Sequence, residues 1–124
     1  MAKFLNRAKT TVTSGGTGTI TLGSASPGYM TFATAGASNG DIIDYCIEDG
    51  LNFELGTATF NSTGPTLSSR TVTQSYNGTS YGTSAINVTT SAVVFGTPLA
   101  ADIATTASVA AIPNPVAMAL VFGS

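Results

Sequence analysis

The sequence predicts an all-β fold: a single antiparallel β-sandwich, jelly-roll or barrel-like domain with an extended N-terminal arm. Three observations carry this. Apolar and hydroxyl residues alternate with period two along most of the chain, which places them on opposite faces of a pleated strand. Threonine contributes 21 of the 124 residues, and its β-branched side chain suits a half-buried strand better than a helix. Turn signals built from Gly, Asn, Asp and Pro recur about every eight to twelve residues, the rhythm of short strands in sandwiches and barrels.

The chain reads as one domain over 1–124, divided into a basic arm (1–9), a β module (10–103) and a C-terminal extension with a final strand (104–124). Within Thr17–Leu22, Ile20 and Leu22 share a face opposite the threonines. Tyr29–Thr34 reads as a second strand with Met30 and Phe32 on one side. Next comes a hairpin from Asp41 to Phe60, with Ile43, Tyr45 and Ile47 on one face and Asp44, Cys46 and Glu48 on the other. Its turn is Glu48-Asp49-Gly50, and the apolar parity flips near Gly56, which predicts a bulge there. Leu67–Thr73 is a short strand, Asn77-Gly78 a tight turn, and Ala85–Thr89 with Ala92–Phe95 a second hairpin. Ala100–Ala111 is the one stretch whose alanines suit a helix. In the last strand the large residues Val116, Met118, Leu120 and Phe122 alternate with smaller ones, forming an apolar face for partner contacts.

Composition narrows the function. Charged residues are 8% of the chain, against roughly 25% in an average soluble domain. A net charge of -2 from four cations and six acids argues against nucleic acid, whose phosphates demand many cations. No histidine is present, so the commonest neutral-pH base and metal ligand is missing, and the single Cys46 cannot build a metal cage. The apolar C-terminal region is interrupted by Asp102, Pro113 and Pro115, so it is no membrane-spanning helix. The first nine residues contain no signal-like apolar run, which implies synthesis and assembly inside a cell. So uncharged an exterior suits a subunit covered by neighbours.

No catalytic, metal or cofactor site emerges. Asp41, Asp44, Glu48, Asp49 and Glu54 fall close together but miss the EF-hand spacing. Asp44 and Glu48 lie roughly 13 Å apart on an extended strand, too far for a glycosidase pair. These acids read as a solvated strand face and turn, with calcium or an acidic contact surface as the other possibility. Serine and threonine nucleophiles lack a base, and Cys46 lacks a basic neighbour, so it reads as an inert buried thiol. The arm is different. Lys3, Arg7 and Lys9 are three of the four cations, mixed with Phe4 and Leu5. This pattern fits an arm that grips an acidic neighbour, with apolar anchors and cations that set register. Tyr29, Tyr76 and Tyr81 lie near loops and give a third reading, sugar stacking.

The run Ile47-Glu48-Asp49-Gly50, then Phe53-Glu54-Leu55-Gly56-Thr57-Ala58-Thr59-Phe60, then Leu67-Ser68-Ser69-Arg70-Thr71-Val72, resembles a small module of tailed-bacteriophage virion proteins. Asn77-Gly78 and Val93-Val94-Phe95 extend it, as do Phe4–Lys9 and Gly18–Gly23, so that it covers roughly 3–103. Phe53 stands where that module commonly has Trp, Ala58 replaces a usual Gly, and Tyr81–Ser84 resembles an insertion. The resemblance implies a non-enzymatic virion structural protein. Because the module fills nearly the whole chain, a capsid decoration (cement) protein acting as a homotrimer is expected, with the major capsid protein as partner. The alternative is a tail or collar fibre or adaptor component. Either role implies assembly in the host cytoplasm, with no nucleic acid, membrane or cofactor involved.

Overall fold

The structure, a computed structural model, describes residues 3–103. The expected final strand with Val116, Met118, Leu120 and Phe122, and the Ala100–Ala111 stretch beyond Ile103, lie outside the described residues. The strands are β1 (Lys9–Ser14), β2 (Ile20–Ala25), β3 (Ile42–Asp49), β4 (Asn52–Asn61), β5 (Thr66–Tyr76), β6 (Tyr81–Gly82) and β7 (Val93–Gly96), followed by a 3-10 turn at Ala100–Asp102. They pair antiparallel in the order β2-β1-β7-β3-β4-β5-β6. Ile20 also pairs with Leu67 and Thr21 with Thr66, closing all strands but β6 into a six-stranded barrel. Closure satisfies the edges that an open sheet would expose. Among the described residues no helix is long and apolar enough to cross a membrane.

The inward positions of the strands fill the interior. Ile43, Tyr45 and Ile47 from β3 meet Ile20, Leu22, Ala58, Phe60, Leu67, Val12 and Val94, all buried. The β3–β4 hairpin runs in unbroken register from Ile42↔Thr59 to Asp49↔Asn52. A two-residue Gly50-Leu51 turn closes it, and Gly50 at φ 64 supplies the left-handed backbone such a turn needs.

The parity flip near Gly56 is not what the chain does. In β4 the buried residues are Glu54, Gly56, Ala58 and Phe60, while Phe53 and Leu55 face outward throughout. The irregularities are on the facing strand: Leu55 and Gly56 oppose Gln74 and Val72, and Thr57 and Thr59 oppose Thr71 and Ser68. β5 therefore carries one extra residue at each place. At the second, Ser69 takes φ 53. Leu67 and Arg70 both turn inward, three residues apart, where a regular strand would put Arg70 outside. The apolar alternation of β4 breaks because one core position holds a carboxylate, Glu54.

Two other segments depart from the alternating pattern. Tyr29–Thr34 is not a strand; Met30 makes a single bridge to Ala8 and the chain then turns. The Thr31 hydroxyl accepts from the Thr34 amide, and Ala37 N donates to Phe32 O, while Phe32 plugs the core against Phe60 with ring centroids 6.3 Å apart. Ala85–Thr89 is also not a strand. Val88 bridges Gly16, and Ile86 gives both backbone groups to a side-chain network described below.

The N-terminal residues lie along the chain's own barrel. Lys3 and Ala8 form parallel bridges to Ile43 and Met30, and Leu5 is buried in the core.

Candidate functional site

Inside the barrel, Glu54 and Arg70 meet side by side. Arg70 Nε donates to Glu54 Oε2 at 2.8 Å and Nη2 donates to Oε1. Nη1 donates to the carbonyls of Gly16 and Gly18 at 2.9 and 2.7 Å, and Nη2 also donates to Ile86 O at 3.1 Å. All five guanidinium protons thus have acceptors. Glu54 accepts further bonds from the Tyr45 hydroxyl and, at 2.9 Å, from Ile86 N. Burial first, and then Glu54, push the Tyr45 hydroxyl far above its usual range, so it remains a donor. Burial opposes the Arg70 charge, but the hydrogen bonds and charge of Glu54 outweigh that and raise its pKa. The group ties β3, β4 and β5 to the 15–19 and 83–92 loops. It is satisfied within itself and leaves no atom for a ligand.

The other acids are mostly engaged as well, so the expected solvated face is corrected at Asp44. That residue is fully buried: Lys3 and Thr97 bond its backbone from the strand edge, and the buried Leu99 meets its side chain. Its Oδ2 accepts from Leu99 N at 3.0 Å, and burial, with Asp102 nearby, raises its pKa to about 6. The Ser38 amide and the Lys3 ammonium, 3.2 Å away, hold Asp41 below the usual carboxylate range. Asp49 accepts from the Thr89 amide and hydroxyl. Cys46 is half-buried, and desolvation followed by Glu48 and Glu54 pushes its thiol up to about 11. Among the described residues no three His, Cys, Asp or Glu side chains gather into a metal site.

A cleft of about 380 Å³ opens on the outer face of β1, β7 and β3. Its lining is Arg7, Ala8, Lys9, Tyr29, Glu48, Phe95 and Gly96. Register explains the grouping: Lys9 stands opposite Phe95 on β7, which stands opposite Cys46 on β3, two residues before Glu48. The Arg7 guanidinium lies 4.3 Å from the Tyr29 ring centroid and the Lys9 ammonium 5.0 Å from it, an arrangement the ring quadrupole favours. Arg7 Nε donates to Gly28 O at 3.2 Å, and Arg7 itself sits at φ 60, a left-handed backbone uncommon for a side-chain-bearing residue.

The structure therefore divides the arm residues. Arg7 and Lys9 share the cleft; Lys3 pairs with Asp41, Leu5 is core, and Phe4 remains 40% exposed. The tyrosines divide too. Tyr29 belongs to the cleft, whereas Tyr76 and Tyr81 cluster with Phe53, the closest centroids being 4.7 Å apart. Glu48↔Phe53, Phe53↔Tyr76 and Tyr76↔Tyr81 form one cross-strand row. Residue-level reading missed Tyr29, Glu48 and Phe95 as companions of Arg7, because only the closed barrel brings β1, β7 and β3 side by side. Arg70 carried a signal, as the lone cation outside the arm. No family model matches the chain, and no curated protein or solved structure matches it.

Proposed function

We propose that the chain is a non-enzymatic structural subunit of a tailed-bacteriophage virion, a capsid decoration (cement) protein acting as a homotrimer. A protein that binds only the assembled shell stabilises that shell by mass action. The observation that supports this reading is where the phage-like motifs fall. The Ile47-Glu48-Asp49-Gly50 turn is the β3–β4 hairpin, the Phe53–Phe60 run is β4, and the Leu67–Val72 run is β5. Glu54 of one motif clasps Arg70 of another inside the barrel. The shared residues thus build a frame, leaving function to the outer surface. That surface carries few charges, since Glu54, Arg70 and Asp44 are buried and Asp41 and Asp49 are engaged locally. Such a hydroxyl-rich exterior suits subunit contacts.

Densitometry of purified particles against the major capsid protein tests the reading. Hundreds of copies per particle are expected of a decoration protein. A few to a dozen would move the chain to the tail, as a fibre or adaptor component, and absence from particles would remove the virion role. The Phe53–Tyr76–Tyr81 cluster favours carbohydrate binding as the second reading, because adjoining uncharged rings can stack on sugars; Tyr81 is 70% exposed. A glycan array without hits removes it.

A further inference from the structure

We infer that the Arg7–Lys9–Tyr29 cleft is a receptor for a carboxylate side chain carried, beside an apolar residue, on a partner protein. It rests on the virion reading only for which protein carries that carboxylate. The cleft holds two of the chain's four cations, and among the described residues no carboxylate lies within 4.0 Å of either. The Arg7 head is already fixed. Gly28 O holds Nε and the Tyr29 ring supports the guanidinium plane, while the two Nη groups have no hydrogen-bond partner among the described residues. A planar fork with free parallel donors matches a carboxylate in bidentate fashion, and one held in place loses little entropy on binding. Lys9 adds a second charge from the same side of the sheet.

The walls narrow the ligand further. Phe95, Ala8 and Gly96 offer an apolar floor, which fits an aliphatic or aromatic neighbour of the acidic residue. Glu48 lines the same cleft, so a run of phosphates would meet like charge there, while a single carboxylate can settle on the Arg7 side. The backbone of Arg7 agrees with the assignment: left-handed geometry is unfavourable for a non-glycine residue and concentrates at binding sites.

The test is an NMR titration of the full chain with the acetylated, amidated tripeptide Leu-Glu-Leu, its Leu-Gln-Leu counterpart and inorganic phosphate. The acidic peptide is expected to shift the amides of Gly28, Tyr29, Phe95 and Gly96 saturably, and the glutamine peptide is not. Arg7→Lys is expected to weaken binding about tenfold, the loss of one charge-assisted bond, and Glu48→Gln to strengthen it. Absence of saturable shifts, equal binding of both peptides, or tighter binding of phosphate than of the acidic peptide would overturn the proposal. An Arg7→Lys spectrum that keeps its dispersion shows that a loss of binding is local. Failure of particle association with an intact titration would instead strike the virion reading alone.

Discussion

Arg70 and Glu54 satisfy each other inside the barrel: each of the five guanidinium protons has an acceptor, and each carboxylate oxygen takes two bonds. A buried pair of this kind is costly to break from one side, because the survivor is left charged and dry. Glu54→Gln and Arg70→Met are each expected to lose about 3–5 kcal/mol. The double variant Glu54→Gln with Arg70→Met should lose clearly less than the two single costs together. Urea unfolding of the four proteins in a double-mutant cycle checks this; additive losses would mean the pair is not coupled.

Gly56 and Gly50 are required for different reasons. A Cβ on Gly56 would stand 2.1 Å from Thr71 O, a backbone atom that cannot move without parting β4 from β5. Gly50 has open space around it, and only its φ of 64 is unfavourable to other residues. Gly56→Ala is therefore expected to cost more than about 2 kcal/mol, and Gly50→Ala about 1 kcal/mol. Thermal midpoints of the two variants test the order; a Gly50 variant weaker than the Gly56 variant would contradict it.

The strands were legible wherever burial followed simple alternation, as in β3, where Ile43, Tyr45 and Ile47 face the core. The reading strayed where tertiary contacts changed what a position meant. Glu54 looks like an outward residue by polarity, yet a partner sixteen positions away makes it core. Asp44 lies on the face predicted for it, but Leu99, from the chain beyond β7, meets its side chain there and both are buried. Phe32 packs as an isolated plug from a turn, so its alternation with Met30 mimicked a strand. For the cleft, the two arm cations were visible in the sequence, but the Tyr29, Glu48 and Phe95 walls required the barrel's strand order.

Cys46 should be a slow thiol. Burial is the main reason its pKa lies near 11, with Glu48 and Glu54 adding to it. Only the thiolate attacks alkylating reagents, so at pH 8 its reaction with iodoacetamide should be on the order of a hundredfold slower than that of an unperturbed thiol. Adding urea to unfold the chain should restore the ordinary rate. Fast labelling of the folded protein would show that the site is open and the thiolate stabilised.

Asp44 gives the fold a pH dependence of unusual sign. Burial, with the nearby Asp102, lifts its pKa to about 6, while the unfolded chain titrates near 3.8. Between those values the folded state keeps a proton that the unfolded state releases, so stability falls as pH rises from about 4 to 6 and is level for this group above that. Asp41, whose carboxyl is held low by Ser38 and Lys3, acts in the opposite sense at lower pH, losing its contribution as pH falls. Asp44→Asn imitates the protonated carboxyl and still offers an oxygen to Leu99 N, so it should flatten the slope between pH 4 and 6. At pH 7 it should gain on the order of 1–2 kcal/mol. Asp102→Asn removes one cause of the raised pKa and should move the upper edge of the window downward. Urea midpoints at half-unit pH intervals decide the matter: if Asp44→Asn retains the parent's slope, the buried carboxyl of β3 is not its source.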